Sequence, residues 1–176
     1  MFANLLEMYT FDKVRDGIYA VRYPGEEDNE LHKLLEVWND TYLLRQIFRR
    51  KKKLKSYFGV TDINDAVMDT LEDAEYLENI ILDGDKDDLE QMFRPLAKQD
   101  GVFLTCSRRK ARNWDRVDHV SWLRLYAVKL QSGEYVITGG AIKMAQKMQD
   151  ENATNKELKK LNDLRQYFVD NGILKL

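Results

Sequence analysis

The chain has 176 residues, with 28 Lys/Arg against 30 Asp/Glu and a formal net charge of −2 at pH 7. A hydrophobic fraction of 44% with no low-complexity stretch points to one folded domain over residues 1–176, long enough to bury a sizeable core. The opening Met-Phe-Ala-Asn-Leu-Leu-Glu lacks the basic start and apolar centre of a secretory signal, and no apolar run reaches the roughly 18 residues of a membrane span.

A cytoplasmic location away from membranes is therefore expected. In chain order, residues 1–16 carry little pattern and read as a helical or irregular lead-in. Gly17 to Tyr23 alternates well enough for a strand, which Pro24-Gly25 ends because proline cannot donate to a ladder. From Asn29 the spacing of Leu31, Leu34, Leu35 and Trp38 predicts an amphipathic helix, and Leu43, Leu44, Ile47 and Phe48 predict another. The latter runs into five consecutive cations, Arg49 to Lys53, which exceed what a helix dipole needs and suit phosphate contact.

Thr61 or Asp62 is placed to cap a long acidic helix reaching about Leu82, with Ile63, Val67, Leu71, Ala74, Leu77, Ile80 and Ile81 as its buried stripe. A short helical segment from Asp87 to Phe93 follows, stopped by Pro95. Val102 to Ser107 reads as a strand, and Arg108 to His119 as a basic connection containing Trp114. Trp122 to Leu130 and Tyr135 to Thr138, joined by Gln131-Ser132-Gly133-Glu134, form a predicted antiparallel hairpin at the centre of a sheet. Gly139-Gly140 is expected to break the strand. Thr154 with Glu157 has capping-box spacing for a last helix, closed at Asn171-Gly172. The sum is an α+β fold: a small, mostly antiparallel sheet of three to four strands packed by several helices. Residues of about 29–96 form a helical insertion, 102–148 the sheet core and 154–171 the C-terminal helix.

Charge is sorted along the chain. Tyr42 to Phe58 has seven Lys/Arg and no acid; Gly59 to Asp100 has thirteen acids against three bases; Gly101 to Lys147 has nine bases against three acids. Two readings stand level: an acidic helix neutralising a basic sheet, or a basic nucleic-acid face with the acids turned elsewhere.

Metal and cofactor chemistry find little footing. His32 and His119 are the two histidines, neither in a ligating motif, and the lone Cys106 excludes an internal disulfide and sits in an apolar strand. No cofactor and no metal site is expected. What remains is a cationic set: Arg108, Arg109, Lys110, Arg112, Arg116, Arg124, Lys143 and Lys147, with Tyr126 and Trp114. Metal-free RNA cleavage needs cations on the pentacoordinate phosphate and groups that move protons at the 2′ and 5′ oxygens. Arg, Lys and Tyr can supply both, and aromatic rings can stack a splayed base.

Trp-Leu-Arg-Leu-Tyr at 122–126, a short turn, a second strand and Gly-Gly-Ala-Ile-Lys at 139–143 resemble the RelE/HigB superfamily of toxin-antitoxin toxins, over about Val102 to Met148. The resemblance implies a RelE-like sheet and a ribosome-dependent mRNA endoribonuclease, silenced by a cognate antitoxin of helix-turn-helix type. It assigns Arg124 to transition-state stabilisation and Lys143 to the family's second basic position. Tyr126 joins them as a catalytic candidate. Arg108, Arg109, Lys110, Arg112, Arg116, Lys147 and Trp114 are then RNA-binding. The family's lysines on the preceding strand are answered only by Thr105 and Ser107, and the chain is nearly twice a typical member's length. A second class of function is a non-catalytic nucleic-acid- or protein-binding module of a mobile element using the same basic face. A third is a structural protein whose charge partition is internal or drives self-association.

Overall fold

The hairpin expected at 122–138 lies in the middle of the sheet. The computed structural model describes residues 9–50, 62–101, 106–117, 120–144, 152–173 and 176. In chain order these form β1 (Thr10–Arg15), β2 (Ile18–Arg22), α1 (Glu30–Trp38), α2 (Thr41–Arg50), α3 (Ile63–Asp83), α4 (Lys86–Met92) and β3 (Phe93–Pro95). After a 3-10 turn at Lys98–Gly101 come β4 (Cys106–Ala111), β5 (Leu123–Leu130), β6 (Tyr135–Ile142) and α5 (Asn152–Asn171).

The sheet has six strands in the order β1-β2-β6-β5-β4-β3. It is mixed: β2 runs parallel to β6, with Ile18 opposite Tyr135 and Ala20 opposite Ile137, and the other pairs are antiparallel. This corrects the expectation of a small, RelE-like sheet of three to four strands. The described residues hold five α-helices around a six-stranded mixed sheet. The extra strands lie at the edges. β1, Thr-Phe-Asp-Lys-Val-Arg, is nowhere fully buried, so it lacks a strong apolar signal, and β3 is three residues ending in Pro95, which an edge tolerates.

Both faces of the sheet are covered, and alternation along β5 explains how. Leu123, Leu125 and Ala127 pack with Trp38 of α1 and Ala74, Leu77 and Ile81 of α3. Tyr126, Val128 and Leu130 point the other way, against Leu161, Leu164 and Phe168 of α5. A strand buried on both sides has no polar face, which is why its sequence reads as nearly continuous apolar. A third cluster joins Leu44 and Phe48 of α2 and Val67 of α3 to Trp122 and Met144.

Local chemistry fixes the helix starts. Asn29 accepts from the His32 amide at 3.0 Å, Asp62 from the Asn64 amide at 2.8 Å, and Asp85 and Asp88 form a reciprocal capping box. The box expected from Thr154 and Glu157 does not mark the helix start. The last helix starts at Asn152, Thr154 is buried within it, and Glu157 bonds Lys160.

Gly139-Gly140 does not end the strand as expected; β6 continues to Ile142, with a register shift opposite Tyr126/Ala127. The glycines serve close packing instead. A Cβ on Gly139 would overlap the Glu157 carboxylate, and one on Gly140 would lie 2.5 Å from the Arg124 carbonyl and 2.9 Å from Leu34 Cδ1. Gly140→Ala is expected to lower stability by roughly 1–3 kcal/mol, the usual cost of overpacking. An unchanged denaturation midpoint would contradict this packing of α1 on β6.

Candidate nucleic-acid interface

β4 ends, β5 begins and β6 ends at the same margin of the sheet, and this brings basic residues together. The register sets Arg94 opposite Lys110, Lys110 opposite Tyr126, and Tyr126 opposite Gly139, so the four form one row across β3, β4, β5 and β6. Arg124 lies two residues before Tyr126 on the same face of β5, and the Lys143 amide donates to the Trp122 carbonyl at 2.7 Å, carrying the ladder just past β6.

The charges in this cluster act on one another. Burial first, and then Arg124, Arg112 and Lys143, push the Lys110 ammonium down to about 8. Burial, and then Arg112, lower the Arg124 guanidinium to about 10, against upward pulls from Tyr126 and Asp73; it remains charged at neutral pH. Arg112 is lowered by burial and by Arg94, and its buried Nε has no hydrogen-bond partner among the described residues. Arg124 is 5% exposed and donates to the Ser121 and Leu123 carbonyls. That fastening makes it a fixed charge in the floor of the cluster, with Lys110, Arg112 and Lys143 the half-buried groups above it.

Trp114 stands beside them. Its indole N–H donates to the Met92 carbonyl at 2.8 Å. The Arg112 and Arg94 guanidinium carbons lie 3.9 and 4.2 Å from its ring centroid, with the Lys110 ammonium at 5.8 Å. The ring expected to receive a splayed base is thus engaged by arginines. Tyr126, a catalytic candidate in the sequence, is fully buried under α5.

Three expected RNA-binding arginines lie apart from this cluster. Arg108 belongs to β4 and not to a connection; it pairs with Asp100 at 3.0 Å and reaches Asn162 of α5 at 2.9 Å. Burial alone would raise the Asp100 carboxyl, but the hydrogen bonds from Arg108 outweigh it and hold it below its usual value. Arg109 points to the other face, bonding Ser107 at 2.9 Å and pairing with Glu90 at 3.5 Å. Arg116 pairs with Asp69, with Glu72 at 3.0 Å and with fully buried Asp73 at 3.3 Å. Around Arg116 the acidic helix neutralises a base of the sheet region, so there the internal reading of the charge partition holds. Lys147, the cations Lys51 to Lys53, and His119 lie outside the described residues.

No family model, no curated protein and no solved structure matched this chain. The site therefore has to be read from its own chemistry.

The sequence reading passed over Arg94, a single arginine between Phe93 and Pro95 that only the edge pairing brings to Lys110. His32, which stands in no ligating motif of the sequence, lies with Asp28 and Glu36 on the exposed side of α1, their potential ligand atoms within 4.8 Å of one another. Both imidazole nitrogens already face carboxylates there, at 3.5 and 3.9 Å, as in a surface ion-pair ladder. Cys106 is buried, its thiol pushed up by burial, which suits a packing role. Among the described residues no helix is long and apolar enough to cross a membrane.

The Lys110 amine should be reactive well below the pH at which ordinary lysines are. Its acylation, followed by peptide mass spectrometry against pH, is expected to show a midpoint near 8, and Arg112→Gln to move that midpoint up by removing a repelling cation. An ordinary lysine midpoint in the folded protein would contradict the cluster's electrostatics.

Proposed function

We propose that the chain binds single-stranded RNA by seating backbone phosphates on Lys110, Arg112 and Lys143 above the fixed charge of Arg124. The observation that carries this reading is the convergence on Lys110. Its amine is half-buried, and the neighbouring charges that act on it are the three cations Arg124, Arg112 and Lys143. Cations held close together in a partly desolvated place favour the arrival of an anion such as phosphate. A phosphodiester is an anion of suitable size and geometry for arginine and lysine together.

The sign of the pH dependence follows. A bound phosphate raises the proton affinity of Lys110, so binding takes up a proton near pH 8 and affinity falls as pH rises through that value. Salt dependence is the direct test. For single strands the log–log slope is about −0.7 per phosphate neutralised, so replacing Lys110, Arg112 and Lys143 together by Gln should flatten it by about 2. Arg109→Gln, on the opposite face, should leave it unchanged. An unaltered slope in the triple variant, or no RNA binding by the wild type, would overturn the reading.

A second reading is favoured by the same lysine. An amine titrating near 8 can exchange a proton at neutral pH, as metal-free endoribonuclease chemistry requires. In that reading the chain is a ribosome-dependent mRNA interferase, with Lys110 added to Arg124 and Lys143 and Tyr126 excluded by its burial under α5, and a cognate antitoxin covers the basic face. Expression in bacteria distinguishes the two. Growth arrest with mRNA cuts on translating ribosomes, lost in Lys110→Gln, supports cleavage; normal growth with intact mRNA leaves binding alone.

A further inference from the structure

The feature that phosphate binding leaves unexplained is the stack built around Trp114. Two guanidinium carbons at 3.9 and 4.2 Å from one ring centroid have room only on opposite faces of the indole. Arg112 and Arg94 therefore lie over opposite faces of Trp114, one guanidinium on each side. Trp114 is fixed by its bond to the Met92 carbonyl, and Arg94 Nε donates to the Gln91 carbonyl at 3.2 Å. The two ends of the stack differ. Arg112 lies near Lys110 and Arg124, whereas Arg94 is exposed on the edge strand β3. Its strand partner is Lys110, so the open end of the stack adjoins the phosphate cluster.

We propose that the exposed face of the Arg94 guanidinium is a base-stacking platform, which takes one unpaired nucleobase from a strand whose phosphate lies on Lys110. A guanidinium is planar and delocalised, and nucleobases stack on it as they do on aromatic rings. Trp114 on its inner face holds it flat, so little is lost in ordering it when a base arrives. Because a base within a duplex already has both faces covered, the site takes single-stranded nucleic acid. This inference rests on the phosphate reading above and deepens it: it makes the ligand a base-bearing single strand and not a polyanion in general.

The test compares two labelled 12-nucleotide strands, one of ordinary RNA and one abasic with the same phosphates, binding to wild type, Arg94→Ala and Arg94→Lys. The wild type is expected to prefer the base-bearing strand by about tenfold, the scale of one base stacked on a protein plane. Arg94→Lys keeps the charge but loses the plane, so it should bind the abasic strand as the wild type does and lose most of the preference. Arg94→Ala should lose the preference as well, with only a small fall in the unfolding temperature, since the exposed residue gives up one cation–π contact and one hydrogen bond. Equal wild-type affinity for both strands, or full preference in Arg94→Lys, would overturn the platform while leaving phosphate binding in place. Binding of neither strand would overturn both.

Discussion

The structure depends on β5 and β6 being buried on both faces. Leu123, Leu125 and Ala127 need α1 and α3 on one side, and Tyr126, Val128 and Leu130 need α5 on the other. α5 follows the hairpin directly in the chain, whereas α1 and α3 precede it, and β2 pairs in parallel with β6 only after the chain has traversed four helices, β3, β4 and β5. Gly139 and Gly140 are the local condition for this arrangement. Their missing side chains let α5 and α1 approach the same strand from opposite sides.

The same covering sorts the charges. α3 brings Asp69, Glu72 and Asp73 to Arg116, the turn before β4 brings Asp100 to Arg108, and α4 brings Glu90 to Arg109 and Lys129. These pairs draw part of the chain's basic surplus into the fold. At the margin where β4, β5 and β6 meet, the sheet instead gathers Lys110, Arg112, Arg124 and Lys143, and the Lys110 amine carries the electrostatic consequence. The small net charge of −2 conceals this division, since a partner responds to potential within roughly 8–10 Å in physiological salt.

The sequence made the interior legible and the margins poorly so. The central hairpin, β2 and the helix beginning after Asp62 follow from apolar periodicity and capping chemistry. β1 and β3 escape because edge strands carry polar residues, and the parallel pairing of β2 with β6 has no local signal at all. At the site, Lys110, Arg112, Arg124 and Lys143 are recognisable as a basic set. Strand alternation turns Arg109 to the other face, and acids contributed from elsewhere in the chain engage Arg108, Arg109 and Arg116. Trp114 looks like a base-stacking ring in the sequence, and its occupation by Arg94 and Arg112 becomes visible only once β3 is paired with β4.

Under the proposed function, the margin of β4, β5 and β6 is an anion site for single-stranded RNA. The most direct measurement is an NMR titration of side-chain signals, arginine Nε–Hε and lysine ammonium, with a short RNA strand. The expected result is that Lys110, Arg112 and Lys143 respond first and most, while Arg108, Arg109 and Arg116 stay put in their ion pairs. Larger shifts at those three paired arginines, or no shift at Lys110 at saturation, would contradict the account.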